Sequence, residues 1–117
     1  MCIRDSFDTV LCWYNCAMKQ AETEIFPHAE KHNVGIVTVN ASPNHKLHRS
    51  SNVPASVQFY RYVLSQPSVH LTIMGLRDIK RFQQICRQLC ISDHLSLDDQ
   101  FSLEAYGEKM LKQGKLA

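Results

Sequence analysis

Three short apolar runs constrain this chain more than any other feature. Residues 7–14 read FDTVLCWY, residues 34–39 read VGIVTV and residues 69–74 read VHLTIM, all rich in β-branched or aromatic side chains. Each precedes a stretch whose apolar residues recur at helical spacing. After the first run come Ala21, Ile25 and Ala29; after the second, Ala55, Phe59, Tyr62 and Val63; after the third, Ile79, Phe82, Cys86 and Leu89. Strands alternating with helices imply a parallel sheet with right-handed crossovers. The first run lacks clean alternation, which predicts a strand buried on both faces. Both outer strands are too apolar to face water as edges. The chain is therefore expected to be part of a larger sheet or barrel, or to self-associate through its exposed strand edges.

Local signals set the boundaries. Pro27 should bend the helix over residues 21–32 or restart it at a new first turn. Gly35 lies near the start of the second strand. Residues 41–53 form a polar, basic loop, and Pro54 suits the first position of the helix that runs to Ser65. Pro67 stops that helix. The third strand should turn at Gly75-Leu76-Arg77 into a helix opening near Asp78. Ser96-Leu97-Asp98-Asp99 matches a capping box for a last helix over residues 97–112, with Gly114 as its stop.

The chain has 117 residues, enough for one ordinary domain. Its 44% hydrophobic and 21% charged content are those of a globular protein, and a net charge of +2 is too small to imply nucleic acid. No apolar run approaches the roughly 20 residues of a membrane helix. Five cysteines with no apolar leader favour reduced thiols and a cytoplasmic setting. Cys12 with Cys16, and Cys86 with Cys90, could bind a metal as four thiolates, but their apolar neighbours favour core cysteines and no metal. His45 and His48 lie in the polar loop without a carboxylate nearby, a poor ligand pair. Trp13 and Tyr14, closing the first strand, either line a pocket or pack; packing is favoured.

A strand that ends in a glycine turn and feeds a helix can hold a phosphate on the free N–H groups of the helix start. Arg77 and Arg81 flank that start. The alternative is an ordinary strand–helix unit with solvated arginines.

FDTVLCWYN, AETEIFPHAEKHNVGIVTVNASP and PASVQFYRYVLSQPSVHLTIMGLRD together resemble the C-terminal part of an aldo-keto reductase, over about residues 7–89. Asn40-Ala41-Ser42-Pro43 is similar to the sugar-dehydrogenase branch. Residues 1–6, MCIRDS, resemble the leader produced when sequencing-adapter read-through is translated, so natural sequence is expected to begin near Phe7 and to fill residues 7–117 with one partial barrel domain. The resemblance implies strands six to eight of a (β/α)8 TIM barrel with their helices. It implies NAD(P)-dependent oxidation or reduction of a carbonyl or sugar substrate in the full-length protein, with no nucleic acid and no membrane. The family's Asp, Tyr, Lys and His are carried on its first four strands, so no catalytic residue is assigned here, and Tyr14, Tyr60, Tyr62 and Tyr106 are not substitutes. The chain by itself is expected to be inactive.

The cofactor side is what the resemblance leaves. Gly75, Leu76 and Arg77 form the turn after the last strand, and Arg81 matches the family's contact to the adenosine 2′-phosphate. A guanidinium suits a phosphate because it bonds bidentately and keeps its charge, which tilts the cofactor towards NADP over NAD. Gln84 and Ile85 fall near the adenine, where Ile85 can neither donate nor accept. Ser42 and Pro43 match the Ser-Pro after the seventh strand, but Ala41 replaces a common nicotinamide-stacking Tyr, and Leu11 replaces a Gln that bonds the carboxamide. The loop His45-Lys46-Leu47-His48-Arg49 lies where the family covers the pyrophosphate. A stand-alone nucleotide- or phosphate-binding module without catalysis is the second reading.

Overall fold

The structure, a computed structural model, describes residues 7–42, 52–75 and 77–114. The leader at 1–6, Leu76 and the basic loop with Pro43, His45 and His48 lie outside the described residues. The elements run β1 (Thr9–Trp13), α1 (Ala21–Glu24), α2 (Phe26–Lys31), β2 (Gly35–Val39), α3 (Ser56–Leu64), β3 (Leu71–Thr72), α4 (Ile79–Ile91) and α5 (Leu97–Lys112). The described strands form one parallel sheet in the order β1-β2-β3. The alternation of strand and helix is as read from the sequence.

Pro27 restarts the helix. It occupies the first turn of α2, and Ile25 between α1 and α2 has left the ideal helical φ at −115°. Proline has no N–H to offer the preceding turn, and its first-turn position costs nothing. Pro54, in contrast, lies ahead of the helix. Ala55 is still extended, with ψ of 141°, and caps a helix that begins at Ser56. At the other end of the chain, Ser96 Oγ accepts from Asp99 N–H at 3.1 Å and donates to the Asp99 carboxylate at 2.8 Å. Gly114 takes the left-handed conformation, φ +64°, just past the end of α5.

β1 is buried on one face only, contrary to the expectation of two buried faces. Cys12 and Tyr14 point into the helices, while Leu11 and Trp13 remain 59% and 62% exposed. Leu71 and Ile73 continue that open face at 52% and 48%. The reason is that, among the described residues, the core forms on one side of the sheet. Burying a side chain of this size contributes roughly 1.5–3 kcal/mol, so four of them on one face are a standing drive towards a cover. The outer edge of β1 is open as well. Gly35 N–H donates to Asp8 O at 2.8 Å and Tyr14 N–H to Val39 O at 3.3 Å. The alternation of a parallel ladder then turns the backbones of Thr9, Leu11 and Trp13 outward, where no described strand meets them.

The third strand is shorter than its apolar run. His70 N–H and Ile73 N–H, three residues apart, donate to Ile36 O and Thr38 O, two residues apart. The register between them stays in step, Val37 beside Leu71 and Thr38 beside Thr72, and the paired strand is limited to those two residues. The His70 imidazole also takes a backbone role, Nδ1 accepting from Ile36 N–H at 3.0 Å.

Aromatic rings tie the helices to the sheet. Tyr14 meets Phe26 edge-on at 5.1 Å and lies over Tyr62 at 6.1 Å. Their hydroxyls stay partnered: Tyr14 donates to Glu22 at 2.6 Å and Tyr62 to Glu104 at 3.1 Å. Arg61 links α3 to the end of α4, donating from Nε to Ser92 O at 2.9 Å and from Nη2 to Gln88 O at 3.3 Å. A cation there also meets the negative end of the helix dipole. On α4 the buried residue is Ile85, with Phe82 and Leu89 half-buried beside it, while Ile79 is 69% exposed. The stripe is therefore centred on 82, 85 and 89, with Ile79 outside it.

Burial pushes the Cys16 thiol up to about 12 and raises Cys12 for the same reason. Tyr14 and Tyr62 are raised too, chiefly by burial. A group held neutral by the fold contributes stability that is complete below its unfolded pKa and is lost as pH rises towards the folded value. Urea midpoints should therefore fall as pH rises from about 9 to about 12, and Cys16→Ala should flatten that fall. At pH 8 the exposed Cys90 should react with an aromatic disulfide reagent in the native chain, and Cys12 and Cys16 only after unfolding. Rapid native labelling of Cys16, mapped by peptide mass, would contradict this packing.

Candidate functional site

The parallel sheet sends the chain ends of β2 and β3 and the first turns of α3 and α4 to one place. Between them lies a cleft of about 290 Å³. Ser42 enters from the segment after β2, and Met74 and Gly75 from the end of β3. Arg77, Asp78 and Arg81 line it from the start of α4, with Phe82 and Ile85 behind them. Ser56 and Tyr60 face them from α3. Clefts at the carboxyl ends of parallel strands are where such folds gather ligand-binding groups, because the helix N-termini point there.

Of the sequence-predicted cofactor residues, Ser42, Gly75, Arg77 and Arg81 come together in this cleft, although more than thirty positions separate Ser42 from Gly75. Gln84 is exposed and does not line it. Leu76 is outside the described residues. Ile85 does line the cleft, but as a core residue only 6% exposed, anchoring α4. Among the described residues a Cβ built on Gly75 meets nothing within 4 Å, so none of them makes a tight contact that demands this glycine. Leu11 lies on the open face of the sheet, well exposed, and Ala41 is buried.

The start of α4 differs from the expected phosphate cradle. Asp78 is the N-cap, and its carboxylate accepts from Lys80 N–H at 2.9 Å and Arg81 N–H at 3.5 Å. Aspartate is among the strongest N-caps, since its oxygen reaches these orphan donors and its charge suits the positive end of the helix. Two of the N–H groups that a phosphate would use are thus already occupied. The anion-holding capacity moves to side chains. Arg81 Nη2 donates to Ser56 Oγ across the cleft. Tyr60 is buried, and its pKa is raised by that burial, with Arg81 pulling the other way. The phenol therefore remains a neutral O–H donor at ordinary pH.

Ser56 and Tyr60 are absent from the sequence-based site. Their only local signal is the four-residue spacing at the start of a helix, the same spacing that sets Arg77 and Arg81. The relation between the two pairs is tertiary, because it exists only once α3 and α4 lie side by side. Tyr14, by contrast, is wholly buried in the aromatic cluster, so it packs; its neighbour Trp13 points the opposite way.

A larger hollow, about 400 Å³, runs beside the open edge of β1, lined by Phe7, Val10, Ile25, Ala29 and Val34 with His28 and His32 at its rim. Its largely apolar walls suit packing against another structural element. Among the described residues no group of three or more His, Cys, Asp or Glu side chains could hold a metal ion. Nor is any helix among them long and apolar enough to cross a membrane. In comparisons with known proteins, no protein-family model matches the chain and no curated protein matches it.

Proposed function

We propose that this chain is the nucleotide-holding C-terminal part of a (β/α)8 oxidoreductase of the aldo-keto reductase type, with NADP as the cofactor and a carbonyl or sugar as the substrate of the larger protein. The observation that carries the reading is the convergence of Ser42, Gly75, Arg77 and Arg81 on one cleft at the carboxyl ends of the strands. Among the described lining residues, the guanidinium groups of Arg77 and Arg81 stand with one carboxylate, Asp78, a formal balance of 2 − 1 = +1 that suits an anion. The bare apolar face of the sheet and the open edge of β1 add support, since both are surfaces that further strands and helices would cover. On this reading the chain holds a nucleotide without turning it over.

Titration with NADPH, followed by its fluorescence, tests the proposal. Saturable binding is expected, weakened about tenfold or more in Arg81→Ala, because a hydrogen bond to a charged group contributes roughly 1.5–3 kcal/mol. NADPH oxidation with aldehydes and sugars should stay at background. Absence of saturable binding, or binding indifferent to Arg81, would overturn the reading. The basic lining that Arg77 and Arg81 give the cleft also fits a second reading, a phosphate-binding module without catalysis. That reading expects small phosphate esters to bind as tightly as the whole dinucleotide.

A further inference from the structure

We propose that α3 completes the anion subsite: Tyr60 donates its phenolic proton to a ribose-bound phosphate monoester held by Arg81, and Ser56 is the positioning residue that presents the Arg81 guanidinium. This rests on the nucleotide reading above and adds two residues to it.

Tyr60 carries the argument. Its side chain is only 7% exposed, yet it lines the cleft and its hydroxyl makes no hydrogen bond with the described residues. Every deeply buried polar side-chain atom among the described residues does have a partner, so this hydroxyl oxygen is reachable from the cleft. Two other tyrosines of the core, Tyr14 and Tyr62, both spend their protons on glutamates. Tyr60 has no carboxylate in that role, and the charge beside it is the Arg81 cation. A neutral phenol next to a cation turns its lone pairs to the cation and its proton away, towards an incoming acceptor.

Ser56 supplies the second half. Arg81 Nη2 donates to Ser56 Oγ, which uses the oxygen as acceptor and leaves the serine proton available. A long arginine at the start of an exposed helix turn loses much rotamer freedom when it binds, and a partner already holding it reduces that loss. Guanidinium N–H, phenol O–H and serine O–H are all donors. The ligand they fit is acceptor-only and anionic, and two arginines favour the doubly charged phosphate monoester over a singly charged diester.

The experiment compares the full chain with Tyr60→Phe, Ser56→Ala, Ser56→Thr and Arg81→Ala, using NADPH and NADH directly and 2′-AMP, 5′-AMP and inorganic phosphate as competitors. Tyr60→Phe should weaken NADPH and 2′-AMP about tenfold and leave NADH unchanged. Ser56→Ala should weaken NADPH about threefold, with Ser56→Thr restoring it, while urea midpoints of these variants stay at the parent value. If the parent binds NADPH and Tyr60→Phe binds it equally well, this inference falls and the nucleotide reading stands. Equal losses for NADPH and NADH would also overturn it, because the phenol would then serve packing alone. Inorganic phosphate competing as strongly as 2′-AMP would overturn the ribose assignment. A parent that binds neither NADPH nor 2′-AMP would sink both.

Discussion

Gly107→Ala should destabilise the chain by about 3 kcal/mol, a fall of roughly 15 °C in Tm. The expected sign is the informative part. In an exposed helix, exchanging glycine for alanine stabilises by about 1 kcal/mol, since alanine has less backbone entropy to lose. Gly107 lies inside α5, where the helix presses on the backbone after β1. A Cβ there would stand 2.3 Å from Cys16 O, 2.6 Å from Cys16 C and 2.8 Å from Ala17 N. Those are backbone atoms, so no flexible side chain can swing aside. Either α5 retreats, pulling Leu103, Tyr106 and Met110 out of the core, or the segment at Cys16 gives way. Ala105→Gly, at an exposed position of the same helix, should cost only about 1 kcal/mol and serves as the control for propensity. A Gly107→Ala chain melting at or above the parent would refute the close approach.

Asn15→Ala should cost a similar amount, about 3 kcal/mol, with loss of nucleotide binding alongside. Asn15 is wholly buried, and both ends of its amide are partnered. Oδ1 accepts from Ala17 N–H and Met18 N–H, each at 2.9 Å, and Nδ2 donates to Asn40 O at 3.0 Å. Truncation removes the partner of the buried Ala17 N–H and of the part-buried Met18 N–H and Asn40 carbonyl, and each buried group left unsatisfied costs roughly 1–3 kcal/mol before water enters. The same side chain joins the end of β1 to the end of β2. Asn40 sits there with φ of 62°, two positions before Ser42 and the cleft. Asn15→Asp keeps the acceptor for the two N–H groups but sets a carboxylate oxygen against the Asn40 carbonyl, so an intermediate loss is expected. Urea denaturation and NADPH titration on the same samples measure both effects. A variant as stable as the parent would show that these backbone groups find other partners.

These two residues mark a limit of reading by pattern. In sequence Asn15 only follows the first apolar run, and Gly107 only falls within the last expected helix. Their roles come from what lies across from them. Where the partner is a few residues away, the sequence is easily read: Ser96 with Asp99, Pro27 with the turn before it, Gly114 past the end of α5. Asp78 is an instructive intermediate. Its position at the start of α4 was legible, yet its carboxylate takes the N–H groups that the glycine turn seemed to offer a phosphate. Ile85 is similar. Its missing polar atoms were visible, and its burial under α3 explains why an apolar residue stands there.

The sequence by itself determined the order of strands and helices, the parallel sense of the sheet, the start of α4, the caps of α5, and the two arginines at the start of α4. All of these depend on spacing and on contacts within about one turn, which the chain carries locally. Tertiary structure decided the rest. It chose which face of β1 is covered, limited β3 to two paired residues, and set Ser56 and Tyr60 opposite Arg81. The physical reason is that a cleft between two strand–helix units belongs to neither. Its donors converge only after the core has fixed the distance between α3 and α4, and no window along the chain contains that distance.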